Sequence, residues 1–120
     1  MAVVELINGV LTLQLSGFER IGALHPSFQI PLEHVTSVRV SDTPNKELRG
    51  LRAPGTGVPR VVLLGTWRSR QTKDFAAIYR NRPSLVLELH DEEFDRVVVS
   101  VDQPEQIAER LGRELQSPSA

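Results

Sequence analysis

The 120-residue chain contains no cysteine. Disulfide frameworks, thiolate metal sites and cysteine nucleophiles are therefore excluded, and a reducing cytosolic location is compatible with the composition. A chain of this length buries roughly two thirds of the surface that its unfolded form exposes, so its core needs no covalent or metal reinforcement. We expect a single domain over residues 1–116 and a disordered tail over residues 117–120.

Long apolar runs are also missing. No stretch approaches the roughly 20 apolar residues that a membrane-spanning helix needs. The first ten residues, MAVVELINGV, place the acid Glu5 among their apolar residues and carry no basic segment ahead of them, which argues against a signal peptide. The expected location is the cytoplasm, with peripheral attachment to the inner face of the membrane as the alternative.

Motifs of catalysis and phosphate binding are absent. A P-loop needs the pattern G-x-x-x-x-G-K-[ST] between a strand and a helix. The stretch RAPGTGVPR (52–60) has Gly55 and Gly57 but no following lysine, and it leads into the strand-like VVLLGTW. No G-x-S-x-G elbow occurs. The sequence HDEE (90–93) has metal-compatible donors, but between two predicted strands it is interpreted as an exposed acidic turn. We expect no enzyme, no cofactor, no metal and no small-molecule substrate.

Aromatic side chains make up only 5% of the residues. Proteins that bind single-stranded nucleic acid stack bases on exposed aromatic side chains in a basic groove. Trp67 and Tyr79 lie next to arginines, but Trp67 is better interpreted as a core residue. Nucleic acid is therefore not the expected partner.

Charge is distributed unevenly, although the formal net charge is only −1. Residues 46–82 carry nine basic and two acidic side chains, whereas residues 83–120 carry three basic and nine acidic ones. The basic block lies beside the acidic one in a folded sheet, or it forms a surface for an anion or a partner. The candidate residues for that surface are Arg49, Arg52, Arg60, Arg68 and Arg70.

The clearest structural signal is the N-terminal stretch VVELINGVLTLQLS. Asn8-Gly9 is a preferred centre for a two-residue hairpin turn, because both positions need a positive φ. This turn pairs Ile7 with Val10 and places one set of aliphatic residues on a single face. That set is Val4, Leu6, Leu11, Leu13 and Leu15.

Two helices are predicted from their capping patterns. Ser16 and Glu19 match a capping box, which favours a short helix over Gly17 to Leu24. The stretch DQPEQIAERLGRELQ begins with a second capping pattern, and its apolar residues recur every four positions. This pattern predicts an amphipathic C-terminal helix that covers a sheet or one end of a barrel.

Six further segments complete the predicted architecture. The stretches SFQIP and VTSVRVS indicate short strands, with Pro31 at an edge or a bulge. Four more strands follow, in RVVLLGTWRS, KDFAAIYRN, SLVLELHD and RVVVSV, each with one core face. The eighteen-residue segment 42–59 is interpreted as a long connector that contains the glycine-proline turn.

Residues Leu48 to Leu111 resemble the bacterial pleckstrin-homology-like (PH-like) domain proteins of unassigned function. The resemblance lies in the order of LRGLRAPGT, GTW, DF, the alternating leucines of SLVLEL, and VVVSVDQP at the start of the last helix. It implies a mainly β fold, a barrel of about seven antiparallel strands in two near-orthogonal sheets with a C-terminal α-helix. Phosphoinositide-binding members of the wider superfold carry basic residues in the first hairpin turn. Here that turn is Asn8-Gly9 and no basic residue occurs from Met1 to Glu19, so headgroup binding is not carried over.

These features lead to one functional expectation and one alternative. The first is a non-enzymatic PH-like binding or scaffolding module that acts through protein contacts or self-association, since exposed strand edges favour homo-oligomers and strand addition. The alternative is a peripheral domain that binds anionic membranes through the basic surface of residues 49–70.

Overall fold

The computed structural model describes residues 2–23, 25–58 and 61–116, with the backbone alone at 52–58 and 116. The chain opens with the predicted hairpin of β1 (Val3–Ile7) and β2 (Val10–Gln14), in the predicted register with Ile7 opposite Val10. Asn8 and Gly9 both have positive φ, 53° and 76°. The predicted turn and the inward face of the hairpin are confirmed.

A short helix and a third strand follow this hairpin. Helix α1 (Gly17–Ala23) begins with the predicted capping box, in which Ser16 N donates to Glu19 Oε1 at 2.8 Å and Glu19 N donates to Ser16 Oγ at 3.2 Å. Leu24, the predicted last residue, lies outside the described residues. Strand β3 (Phe28–Pro31) pairs with β2 and ends the three-stranded sheet, so Pro31 lies on an edge strand as predicted.

The remaining strands form a six-stranded sheet in the order β4-β8-β9-β7-β6-β5. The four strands predicted over residues 60–101 are confirmed as β6 to β9. The strand bounds are β4 (Val35–Ser41), β5 (Leu51–Val58), β6 (Val62–Arg68), β7 (Lys73–Tyr79), β8 (Ser84–Leu89) and β9 (Arg96–Val99).

The expectation of an entirely antiparallel fold is wrong at one position in this sheet. Strand β9 lies between β7 and β8 and pairs in parallel with β7, with Asp74 opposite Arg96. Strands β7 and β8 are joined by the short turn 80–83 and run in opposite directions. Any strand inserted between two antiparallel neighbours must be parallel to one of them, so the parallel pair follows from the insertion.

The expected barrel of about seven strands is also wrong. The described residues form nine strands, and none of their ladders joins the two sheets. A 3₁₀ turn over Leu32–His34 separates β3 from β4 and follows Pro31, which has no amide to donate. The chain therefore leaves one sheet before it enters the other, and no strand bends continuously through both.

The segment 42–59 is not only a connector, which corrects the interpretation of its glycines and prolines as a turn. Its second half is strand β5, which pairs with β6 and has a register shift between Arg52 and Gly55. Because β5 is an edge strand, a proline within it removes no ladder bond on its outer side. Between Arg52 and Val58 the strand consists of alanine, proline, threonine and two glycines, so it lacks the apolar alternation by which the other strands were predicted.

The first half of that segment, residues 42–50, crosses the six-stranded sheet, because β4 and β5 lie on opposite edges. Five strand spacings of about 4.8 Å make roughly 24 Å, less than the roughly 30 Å that nine extended residues reach, so the segment has room for one compact turn. The crossing includes a 3₁₀ turn over Pro44–Glu47, in which Pro44 is buried. We call residues 42–50 the crossing segment.

The six-stranded sheet is buried on both faces, so the prediction of one core face for each strand is wrong. One face joins the three-stranded sheet and both helices in the main core, to which Leu85, Leu87 and Val97 belong. The opposite face holds a second cluster, with Leu48 of the crossing segment packed against it. Its buried members are Trp67, Ala76, Ile78, Val86 and Val98.

The C-terminal helix is confirmed as α2 (Pro104–Gln116). Leu111 is buried in the main core, and Ile107 and Leu115 pack against it. At thirteen residues α2 is the longest helix of the described chain, and no helix there has the length and apolarity to cross a membrane.

Candidate functional site

Helix α1 is fixed at one end of the six-stranded sheet by a buried carboxylate. Glu19 is fully buried, caps its own helix, and accepts a hydrogen bond from the Tyr79 hydroxyl at 2.9 Å. Burial and this bond raise the pKa of Tyr79. The capping-box pattern identifies Glu19 in the sequence. Its second partner, Tyr79, is sixty residues away, and no sequence pattern indicates that contact.

The outer face of α1 exposes two large apolar side chains. Phe18 is 61% exposed and Ile21 is 76% exposed, and their spacing of three places them on one side of the helix. Val61 is also exposed, and its carbonyl accepts a hydrogen bond from Arg80 N at the same end of the sheet as Tyr79. We call Phe18 and Ile21 the α1 patch. The predicted site residues did not include Phe18 and Ile21. The signal that could have indicated them is the spacing of three between two apolar residues in a helix of seven residues.

Helix α1, which carries the α1 patch, contacts both β5 and β6. Strand β5 is paired with β6 on one side and ends the sheet on the other. The β1 edge of the three-stranded sheet is approached by α2, whose Arg110 donates to Leu6 O of β1 at 3.4 Å. Of these two edges, that of β5 belongs to a strand that the helix carrying the α1 patch contacts.

The candidate basic residues separate into three groups. Arg68 ends β6 and Arg70 follows in the next turn, and both are exposed. Arg49 lies on the crossing segment near the same end of the sheet, since its second neighbour Leu51 pairs with Arg68. The side chain of Arg52 and all of Arg60 lie outside the described residues.

Arg49 is bound within the protein by a buried acid. Asp74 has no exposed surface and accepts hydrogen bonds from Arg49 N at 3.1 Å, Nε at 3.0 Å and Nη2 at 2.7 Å. These bonds raise the pKa of the Arg49 guanidinium. The Arg49 charge therefore neutralises Asp74 and fixes the crossing segment to β7.

Glu47 fixes the crossing segment to two other strands. It accepts a hydrogen bond from Arg39 of β4 at 2.7 Å, and its backbone carbonyl accepts one from Arg96 of β9, also at 2.7 Å. The hydrogen bond from Arg39 lowers the pKa of Glu47 to about 2. Its contribution to stability is present above the unfolded value near 4.5 and is lost as the pH falls from there towards 2.

The two aromatic residues considered for base stacking do not form exposed platforms. Trp67 is buried in the second cluster, as predicted, and Tyr79 is half-buried with its hydroxyl bound to Glu19. Stacking on either ring would require it to leave these contacts.

The acidic turn predicted at HDEE is confirmed as the connection between β8 and β9. Within the described ranges, no group of three or more histidine, aspartate and glutamate side chains converges as a metal site would. Lys73 of the basic block (residues 46–82) pairs with Glu93 of this turn at 3.2 Å. Part of the basic block therefore lies beside the acidic block of residues 83–120.

No family model, no curated protein and no solved structure matches this chain, so the candidate site is defined by its own geometry alone.

Proposed function

We propose that this protein is a non-enzymatic, PH-like binding or scaffolding module that acts through protein–protein contacts, with a second copy of the chain as the first partner. The observation that carries this proposal is the open edge of β5 beside the exposed α1 patch. The mainly β architecture and the C-terminal helix packed on the core support a PH-like module. The parallel pair of β7 and β9 departs from that architecture.

The edge of β5 provides backbone groups that a second strand can pair with. An edge strand presents unpaired amides and carbonyls, and a strand from another chain extends the sheet by binding them. Two copies related by a two-fold axis would present the same edge to each other and join two six-stranded sheets. The exposed Phe18 and Ile21 would add apolar burial beside such a contact, at roughly 25 cal/mol per Å².

The oligomeric state tests this proposal. We expect the wild-type chain to self-associate in sedimentation velocity as its concentration rises, and the Phe18→Ser/Ile21→Ser variant to remain monomeric at the same concentrations. The matched control is Val3→Ser/Ile7→Ser, which removes two other exposed apolar side chains from β1. That control should associate like the wild type.

A wild-type chain that stays monomeric up to about 1 mM, where a contact is worth only about 4 kcal/mol, would rule out self-association. Equal loss of association in both serine variants would show that the contact is not centred on the α1 patch.

A second candidate function is peripheral binding to anionic membranes, favoured by Leu51. This side chain is 80% exposed and pairs across the sheet with Arg68, next to the exposed Arg70. An apolar side chain among arginines fits the interface of an anionic bilayer, where the charge attraction weakens as salt rises.

Vesicle sedimentation tests this second candidate. We expect binding to phosphatidylglycerol vesicles at low salt and its loss at high salt. Arg68→Glu/Arg70→Glu should abolish binding, whereas Arg20→Glu/Arg80→Glu makes the same charge change at other exposed positions and should retain most of it. Equal binding by the two variants, or binding that salt does not weaken, would exclude this surface.

A further inference from the structure

The turn between β8 and β9 contains three consecutive acids, and each contacts a different histidine. Asp91 contacts His90, Glu92 contacts His34 and Glu93 contacts His25. These are all three histidines of the chain. Two of them reach the turn from elsewhere in the sequence, His25 from the segment after α1 and His34 from the 3₁₀ turn before β4, whereas His90 is the first residue of the turn itself. The fold therefore gathers every histidine onto one six-residue turn.

The geometry of His25 is satisfied only by the doubly protonated ring. Its Nδ1 lies 2.7 Å from the carbonyl oxygen of Pro26, and its Nε2 lies 2.9 Å from Glu93 Oε1. Both oxygens can only accept, so both ring nitrogens must donate. A neutral imidazole has one donor, and it would turn a lone pair towards one of these oxygens.

His90 lies in the same kind of environment. Its Nε2 is 2.9 Å from the backbone carbonyl of Glu33, and its Nδ1 is 3.2 Å from Asp91 Oδ2. Again only the imidazolium donates to both acceptors. This site is more exposed than that of His25, so solvent weakens its ion pair.

His34 supplies the third contact, with Nδ1 at 2.5 Å from Glu92 Oε2. The hydrogen bond to Glu92 raises the pKa of His34, with smaller contributions from the charges of Glu33 and Asp91. The opposing influence is desolvation by partial burial, which lowers the pKa of His34. The ring of His90 lies nearby, with its centroid 5.6 Å away.

Lys73 and a cluster of aromatic rings also contact the turn. Lys73 of β7 donates to Glu93 at 3.2 Å, and its backbone amide donates to Asp95 Oδ2 at 2.8 Å. Phe94 is buried, and its ring lies within 5.2 Å of the ring of His25. Phe28 and Phe75 complete the aromatic cluster beneath His25. Histidine is thus the one residue type facing this turn whose charge changes between pH 6 and pH 8.

We propose that the β8–β9 turn is a proton-dependent clasp, fastened when His25, His34 and His90 are protonated and loosened when they become neutral. Protons taken up on folding bind the turn to two other parts of the chain, the segment after α1 and the 3₁₀ turn before β4. The clasp is independent of the proposed partner surface, which lies on α1 and β5.

The folded protein stabilises the charged form of the ring, and this determines how its stability changes with pH. For His34, the stabilisation is fully present below the unfolded value of 6.5 and is lost as the pH rises through the higher folded value. Glu93, whose pKa is lowered chiefly by the hydrogen bond from His25, acts in a separate and more acidic window.

Urea unfolding at pH 6 and pH 8 tests the clasp. We expect the unfolding constant of the wild type to be roughly tenfold larger at pH 8 than at pH 6, because each proton bound by the native state changes it by up to tenfold per pH unit. The Asp91→Asn/Glu92→Gln/Glu93→Gln variant keeps the shapes and removes the charges. Its unfolding constant should change less than about threefold over the same interval.

The matched control is Glu105→Gln/Glu109→Gln/Glu114→Gln, which removes three exposed acids from α2. It has the same net charge as the test variant, and it should keep the wild-type pH response. A wild type without pH response, or a test variant that responds as strongly as the control, would overturn the clasp.

A second measurement protects the test against a variant that fails to fold. In the wild-type protein at pH 6, the ring ¹⁵N shifts of His25 and His90 should show both nitrogens protonated. Hydrogen exchange of residues 91–95, corrected for its intrinsic pH dependence, should be less protected at pH 8 than at pH 6. A neutral ring at pH 6 in both histidines would also contradict the proposal.

Discussion

Replacing Gly50 by alanine should lower the free energy of unfolding by about 3 kcal/mol or more. Gly50 ends the crossing segment with a φ of +85°, which L-residues rarely adopt. A Cβ there would lie 2.6 Å from Ser69 N and closer still to the carbonyl of Arg68. Both obstacles are backbone atoms, so the first pairs of β5 and β6 would have to move apart. Chemical denaturation of the Gly50→Ala variant measures the effect.

Gly9→Ala is the control for this prediction. Gly9 has a similar φ of +76°, but a Cβ added there would meet no atom within 4 Å. Alanine at this position carries only the backbone strain, about 1 kcal/mol. Equal destabilisation by the two variants would mean that the close approach of Gly50 to Arg68 contributes nothing.

Replacing Arg49 by methionine should lower the free energy of unfolding by about 3 kcal/mol, because it leaves the fully buried Asp74 carboxylate without its cation. This figure lies at the low end for a broken buried pair, since the Arg49 side chain is itself 36% exposed and water can partly replace it. Denaturation at pH 7 measures the effect, and Arg70→Met, at an exposed position, should change stability by less than about 0.5 kcal/mol.

The double variant Arg49→Met/Asp74→Asn separates charge from packing. Removing both charges should restore part of the lost stability, because a neutral amide is cheaper to bury than an unpaired carboxylate. If the double variant is no more stable than Arg49→Met, the ion pair is not what anchors the crossing segment.

The local features of this fold could be predicted from the sequence. Asn8-Gly9 specifies the first turn, since both positions need positive φ, and the register of the hairpin follows from it. Ser16 and Glu19 specify the start of α1 through reciprocal bonds between near neighbours. In each case, residues within a few positions of one another determine the structure.

The order of the strands could not be predicted in this way. The alternation of Val97 and Val99 with Val98 indicates a strand, but it does not say which neighbours the strand has. Val98 is buried as completely as Val97, because the second cluster covers its face of the sheet. Valine on both faces is typical of a central strand, so Val98 carried a signal that the assignment of a single core face overlooked.

The candidate site shows the same difference between local features, which could be predicted, and long-range contacts, which could not. The sequence pointed to arginines of the basic block, but it could not show that Arg49 pairs with a buried acid from β7. It also separated the three histidines into different elements, which is correct along the chain. Only the tertiary fold brings His25 to Glu93 and His34 to Glu92, because contacts across about sixty residues leave no periodic trace.

The late position of β9 in the sequence has a consequence for assembly. Strands β7 and β8 are synthesised before β9, which separates them in the sheet. The backbone amides and carbonyls that pair with β9 therefore lack these partners until β9 has been made. The large sheet becomes continuous only after residue 99 is available, and its edge strands β4 and β5 must by then be held apart by the width of four strands. Such dependence on distant pairings slows folding. Nascent chains that stop short of Arg96 would consequently expose two apolar strands to their neighbours.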